Sequence, residues 1–366
     1  MREARGPYDR VLLMAVLTLL AVGVVMVYSS SSVVALTTYN DPTYFLRRQV
    51  VWAMLGLALM AAAMRMDHEL LEHKPVVAVL LLVTFLLLAA TFVPGIGRTI
   101  NGARRWIKLG IFTFQPAELA KLTLVVYLSS YLSSRKTLVQ NFQRGLAPAF
   151  AVTGVFLGMV LLQPDFGTVM AMGAVILLML LAGGARIAHL AALLAVAVPL
   201  AYLAIAHKAY RLRRIMSFLN PWDDPQGAGH QIIQSYLAFG SGGVFGRGLG
   251  EGRQKLLFLP ERHSDFIYAV IGEELGLIGA AAVLLLFGVI LWRGIRIALK
   301  SEGFSRMLAL GITVLISVQA IINMAVVTGI MPTKGIALPL VSYGGSALVV
   351  TLAALGVLLN ISKDTG

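Results

Sequence analysis

The chain has 366 residues, of which 58% are hydrophobic and only 13% charged, with a mean hydropathy of +0.83. A soluble domain with a wetted surface does not have that balance, so the composition points to a lipid-facing exterior. The lack of cysteine excludes disulfides, thiolate metal sites and a cysteine nucleophile, and the formal charge of +13, with no basic soluble module to present it, argues for anionic lipid and against nucleic acid.

A helix needs roughly 20 mostly apolar residues to cross a hydrocarbon core, because its backbone polar groups must be satisfied within the segment. The first such run, Val11 to Leu36, follows Arg2, Arg5 and Arg10 and contains the serines Ser29 to Ser32. A signal peptide has similar parts, but the uncharged stretch from Val11 to Asn40 far exceeds an apolar signal core of about 7 to 15 residues, so it reads as a retained first helix. Runs at Gln49–Met64, Pro75–Val93, Pro116–Ser134 and Gly145–Gln163 predict helices two to five. Phe166–Gly184 and His189–Ala206 predict helices six and seven, and Leu275–Trp292, Met307–Ile330 and Gly345–Ile361 predict helices eight to ten. The expected fold is an all-α polytopic membrane protein of about ten transmembrane helices, a single domain over residues 1–366. Its longest interruption, His207 to Ser264, reads as a large extracytoplasmic loop between helices seven and eight.

An even helix count places both termini on one face. Short loops of that face carry Arg65, Lys74, Arg135, Arg186, Arg293 and Arg306 among others, which predicts that it is cytoplasmic. The opposite face is nearly as basic, with Arg98, Arg104, Arg105 and Lys108 in one loop and eight more Lys or Arg between Lys208 and Arg262. Those outer cations read either as interfacial anchors or as a docking surface for a phosphate-bearing substrate. The glycine-rich stretch Gly240 to Gly252 fits neither the Walker pattern nor the dinucleotide fingerprint and reads as a flexible turn region.

Five segments carry candidate chemistry. In NGARRWIKLG, Arg105 beside Trp106 reads as a membrane-surface anchor or as a phosphate contact. In QPAELAKL, Glu118 and Lys121 lie three apart on one helix face, either neutralising each other or lining a substrate cavity. Gln163 and Asp165 in LLQPDFGT flank a helix-breaking proline and make at least a polar turn. Asp265 opens SDFIYAVIGEELGLIG, with Glu273 and Glu274 following and Arg262 and His263 preceding. The structural reading makes Ser264 a helix cap and Asp265 a carboxylate favourable to the helix dipole. The functional reading makes Asp265 an ionised base beside the membrane. Finally, MPTKGIALPLVSYGGS predicts a broken or re-entrant lead into helix ten, allowed only where protein or a water-filled cavity covers its backbone, so a cavity is expected near Lys334.

Taken together, GARRWIKLG, QPAELAKL, QPDFGT, FLNPWDDPQGAGHQ, FLPERHSDFIYAVIGEELG and PTKGIALPLVSYGGS occur in an order that resembles the SEDS family of cell-wall synthases over nearly the whole chain. IGEELG and PTKG are most similar to the FtsW and SpoVE branch, and Ser264 stands where threonine is expected. The resemblance implies a polymerase that joins lipid II into glycan strands on the outer face, with division as the expected setting. It implies that Asp265 is the general base for the acceptor hydroxyl, and that Arg105, Arg214, Lys255 and Lys334 are the cations for the leaving diphosphate. Glu118, Lys121, Gln163, Asp165, His263, Glu274 and Ser342 are expected around the substrate. No motif specifies a cofactor; a divalent cation such as Mg2+ or Mn2+ shared with the acidic cluster is the alternative source of charge for the leaving diphosphate. A class B penicillin-binding protein is the implied partner, together with other membrane proteins of the divisome or elongasome. Three other functions use the same features: a lipid II flippase, an ion-coupled transporter with Glu118, Lys121 and Glu274 as a relay, and a scaffold.

Overall fold

The computed structural model describes residues 6–100, 102–110, 112–135, 137–206, 209–227, 229–253, 263–333 and 335–365. Its helices are α1 (Arg10–Tyr39), α2 (Tyr44–Arg65), α3 (Lys74–Ala90), α4 (Pro116–Ser134), α5 (Ala147–Leu162), α6 (Phe166–Ala182) and α7 (Ile187–Ala206) in the first part. There follow α8 (Ala209–Leu219), α9 (His230–Gly242), α10 (Ile267–Glu274), α11 (Gly276–Lys300), α12 (Gly303–Val327) and α13 (Gly345–Ser362). Each predicted apolar run falls on a helix, namely α1 to α7 and α11 to α13. Among the described residues, six helices are long and apolar enough to cross a membrane: α1, α2, α5 with the turn before it, α11, α12 and α13. Shorter apolar helices occur at α3, α6 and the first part of α7. The chain is a multi-pass membrane protein.

It is mostly rather than wholly helical. Between α3 and α4 lies a three-stranded antiparallel sheet, β1 (Gly97–Ile100), β2 (Ala103–Leu109) and β3 (Phe112–Phe114), in that order. Ala103 and Ile107 of β2 are buried while Arg104 and Lys108 are exposed, and a bulge at Arg105 interrupts the pairing with β1 between them.

Helices α12 and α13 form the centre. The first packs on α4, α6 and α11, and the second lies along α2. Lipid supplies no hydrophobic drive between helices, so close contact depends on small residues. Gly356 provides one, since a methyl group there would lie 2.5 Å from the Met60 carbonyl oxygen on α2. The outer faces carry large apolar side chains such as Met14, Met54 and Leu285, as a lipid-facing surface requires. At one end of the bundle the two chain ends meet. The Gly6 amide donates to the Lys363 carbonyl at 2.9 Å, and the Asp9 amide donates to the Ser362 hydroxyl at 3.0 Å.

The long interruption after α7 is largely structured. It contains α8, α9 and, in place of the expected flexible turn region, an ordered glycine-rich clasp over the break between α10 and α11. There the amides of Arg247 and Gly248 donate to the carbonyls of Glu273 and Glu274, each at 3.0 Å, and the Leu277 amide donates to Gly243 at 2.9 Å. Gly246 has φ +78°, and any Cβ there would collide with the Glu274 carbonyl. Only glycine meets both demands.

Candidate functional site

The segment His263–Asp265 ends the long interruption and leads into α10. Every residue of α10 is buried, whereas His263, Ser264 and Asp265 are half-buried, so Asp265 stands at the boundary where the chain enters the protein interior. Ser264 does not cap the helix. The capping position is Phe266, no side chain caps it, and Asp265 stands one residue before it, outside the first turn of α10.

The segment is instead stitched to the irregular chain between α12 and α13. The Ser342 hydroxyl donates to the Ser264 carbonyl and accepts from the Leu338 amide at 2.8 Å, while the Tyr343 amide donates to the His263 carbonyl at 2.8 Å. The His263 ring packs 4.7 Å from Phe45 and 5.7 Å from Tyr343, and Phe45 meets Tyr343 edge-on at 5.1 Å. Phe45 is delivered by the first turn of α2. That turn is anchored by Asp41, which accepts from the Thr43 hydroxyl at 2.7 Å and pairs with Arg47 at 2.9 Å. The Thr43 hydrogen bonds hold the Asp41 carboxyl below its ordinary range, with Arg47 adding to the effect.

Asn323 on α12, 2% exposed, donates its two amide hydrogens to the carbonyls of Asp265 at 2.8 Å and Ile336 at 2.7 Å. It thereby fixes the backbone of Asp265 relative to the irregular segment before α13, to which Gly335 belongs. A Cβ at Gly335 would come within 3.0 Å of Asp265 Oδ2, so glycine leaves the carboxylate its space.

A second cluster brings Arg105 against the turn that carries Gln163 and Asp165. From β2 the Arg105 guanidinium donates to the carbonyls of Gln163, at 2.9 Å, and Pro164, and stands 3.8 Å from the Asp165 carboxylate. Asp165 caps α6 by accepting from the Thr168 amide at 3.2 Å. Gln163 donates inward to the Thr91 hydroxyl at 2.9 Å. Gln115 joins the clusters. Its side chain donates to Asp165 at 3.4 Å, and its amide donates at 3.0 Å to the hydroxyl of Ser346, four residues beyond Ser342.

Other predicted residues lie elsewhere. Glu118 and Lys121 pair at 2.8 Å inside the helix bundle, and Lys121 also donates to Gln319 of α12, which makes a neutral tie between α4 and α12. Glu274 is buried, accepting from the Ser29 hydroxyl at 2.6 Å and from the Gly250 amide at 3.1 Å. Its neighbour Glu273 accepts from the Arg253 amide at 2.8 Å. Arg214 is exposed on α8 and forms no hydrogen bond or ion pair among the described residues. Lys255, Arg262 and Lys334, and the cavity expected at Lys334, lie outside the described residues. Among the described residues no three His, Asp or Glu side chains come together as a metal cluster.

The model of the cell cycle protein family that comprises FtsW, RodA and SpoVE matches residues 10–366. The chain belongs to this family. It is 49% identical over 356 residues to a probable peptidoglycan glycosyltransferase FtsW of Geobacter sulfurreducens, covering 97% of this chain and 95% of the relative. It is 42% identical to the stage V sporulation protein E of Bacillus subtilis, covering 97% of each. Among solved structures it is similar to the rod shape determining protein RodA of Thermus thermophilus, with 31% identity and a TM-score of 0.71 over 98% of this chain and 97% of that one. It also superposes with a TM-score of 0.78 and 32% identity, over 98% of both chains, on a chain from a peptidoglycan synthase complex that coordinates polymerization and crosslinking.

Family membership gives the geometry its context. Sequence reasoning selected Asp265, Arg105, Gln163, Asp165 and Ser342, but it missed Asn323, Gln115 and Ser346, which hold them. The last two stand inside the FTFQPAEL and SYGGS segments and were open to notice. Asn323 is a lone amide in an apolar helix, and no local pattern marks it.

Proposed function

We propose that this chain is a peptidoglycan glycosyltransferase that polymerises lipid II on the extracytoplasmic face of the cytoplasmic membrane, with both termini cytoplasmic. The observation that carries this reading is the setting of Asp265: a half-buried carboxylate at the start of a buried helix, its backbone held by Asn323 and its side chain facing glycine. Relatives named as peptidoglycan glycosyltransferases support it. In the reaction the acceptor sugar hydroxyl attacks the donor anomeric carbon, the bond from that carbon to the lipid diphosphate breaks, and Asp265 takes the hydroxyl proton. Attack opposite the leaving group inverts the donor centre.

Cations supply the leaving diphosphate with positive charge. Arg105, anchored on the turn between α5 and α6, contributes one such charge, and Arg214, Lys255 and Lys334 complete the proposed set. A divalent cation such as Mg2+, commonly held by one or two carboxylates together with substrate phosphates, would supply further positive charge at the diphosphate. Glu118, Lys121 and Glu274 act through structure in this reading, because each already has buried partners.

A class B penicillin-binding protein is the proposed partner, since a structural relative comes from a complex that coordinates polymerization with crosslinking. The test is to incubate the purified chain, with that partner made crosslinking-inactive, with lipid II in detergent and no ion gradient. Glycan strands are expected. Transport of lipid II across vesicles without strand formation would favour a flippase and overturn the proposal.

A further inference from the structure

A polar concavity of about 240 Å³ opens where the start of α1 meets the ends of α11 and α13, at the end of the bundle that carries both chain ends. Among the described residues four cations line it, Arg10, Arg293, Arg296 and Lys300, and the single acid in its wall is Asp9. Asp9 is already committed, pairing through one carboxylate oxygen with the Arg293 guanidinium, with Nε at 2.6 Å, while its other oxygen caps α1. Lys300 donates to the Thr365 carbonyl at 3.0 Å. Arg10 and Arg296 are exposed and form no hydrogen bond or ion pair among the described residues. The described wall therefore holds four positive charges against one negative, with two guanidinium groups uncommitted among the described residues.

The ordinary explanation is the basic bias of cytoplasmic helix ends, which needs cations only near those ends and no concavity. Here the cations converge on a hollow beside a partly buried Asp9–Arg293 tie between α1 and α11. Its flanks are apolar and exposed: Val11 (48%) and Met14 (62%) on α1, and Leu299 (71%) on α11. Trp292, 57% exposed, lies beside them with the Arg293 guanidinium 5.4 Å from its ring centre, as at a membrane interface. Guanidinium groups recognise phosphate oxygens in a bidentate fork, and apolar flanks suit acyl chains. We infer that this concavity is a binding site for the phosphate headgroup of an anionic phospholipid in the leaflet beside the chain termini. The inference is independent of the polymerase reading.

The test uses the full chain in detergent, with native mass spectrometry of retained lipid and the thermal unfolding midpoint as readouts. The probes are phosphatidylglycerol, phosphatidylcholine and inorganic phosphate. Phosphatidylglycerol is expected to be retained and to raise the midpoint, and the other two are expected to do neither. Arg10→Gln with Arg296→Gln should lower phosphatidylglycerol affinity about tenfold, whereas Arg10→Lys with Arg296→Lys should restore part of it. A control with Arg135→Gln and Arg144→Gln removes the same charge from another loop of that end. Equal losses in the control and the site variant would overturn the inference, as would stabilisation by inorganic phosphate alone. Both altered side chains are solvent-exposed, so the variants are expected to fold, and the unfolding midpoint without lipid checks that directly.

Discussion

Asn323 and Asp265 are joined through the main chain: the Asn323 amide donates to the Asp265 carbonyl at 2.8 Å while its second hydrogen reaches Ile336 at 2.7 Å. One side chain thus sets the distance between the catalytic candidate and the irregular segment that carries Gly335. Asn323→Leu leaves two inward carbonyls without a donor, and each unsatisfied group costs about 1–3 kcal/mol. Because small displacements of a reacting group are expensive in rate, polymerisation should fall about 10- to 100-fold. Initial rates with lipid II test this, with Asn323→Gln recovering part of the loss. An unchanged rate in Asn323→Leu would show that the tie does not position Asp265.

Arg105 is a fork rather than a point charge. It bridges the carbonyls of Gln163 and Pro164 and approaches Asp165, and a lysine ammonium does not span that set. Arg105→Lys should therefore resemble Arg105→Ala, with a lower rate and a lower unfolding midpoint. Restoration of both by lysine would mean that positive charge alone matters at this position.

The Glu118–Lys121 pair distinguishes a structural from a substrate role. Removing one partner leaves a buried charge uncompensated, and such losses are about 3–5 kcal/mol. Glu118→Ala or Lys121→Ala should lower the unfolding midpoint strongly. Glu118→Leu combined with Lys121→Met should recover most of the stability and retain polymerisation. A stable but inactive double variant would place the pair at the substrate.

Gly246→Ala tests the glycine-rich clasp. The position has φ +78° and no space for a methyl group against Glu274, so destabilisation should exceed about 1 kcal/mol. Limited proteolysis of the segment Gly240 to Gly252 should accelerate in the variant. Cleavage at the native rate would show that the clasp is not under that constraint.

These residues also show what a sequence makes legible. The apolar runs located their helices because a lipid-facing helix needs a long uncharged stretch, whereas the boundaries slipped where charges enter the helix. Arg47 and Arg48 lie inside α2, although the run read as helix two began only at Gln49. The sheet at Gly97–Phe114 was hidden by its brevity and by cations that suggested an interfacial anchor. At the candidate site the charged members stood out because charge is rare here. Their holders did not, because Asn323, Gln115 and Ser346 act by reaching across to residues distant in the chain, and only the fold brings those partners together.

The most direct measurement compares wild type with Asp265→Ala, each purified with the same crosslinking-inactive partner, for lipid II binding and for glycan strand formation. Asp265→Ala is expected to bind lipid II as wild type does and to form no strands. Strand formation by Asp265→Ala at the wild-type rate, with contaminating synthases excluded, would contradict the assignment of Asp265 as the base.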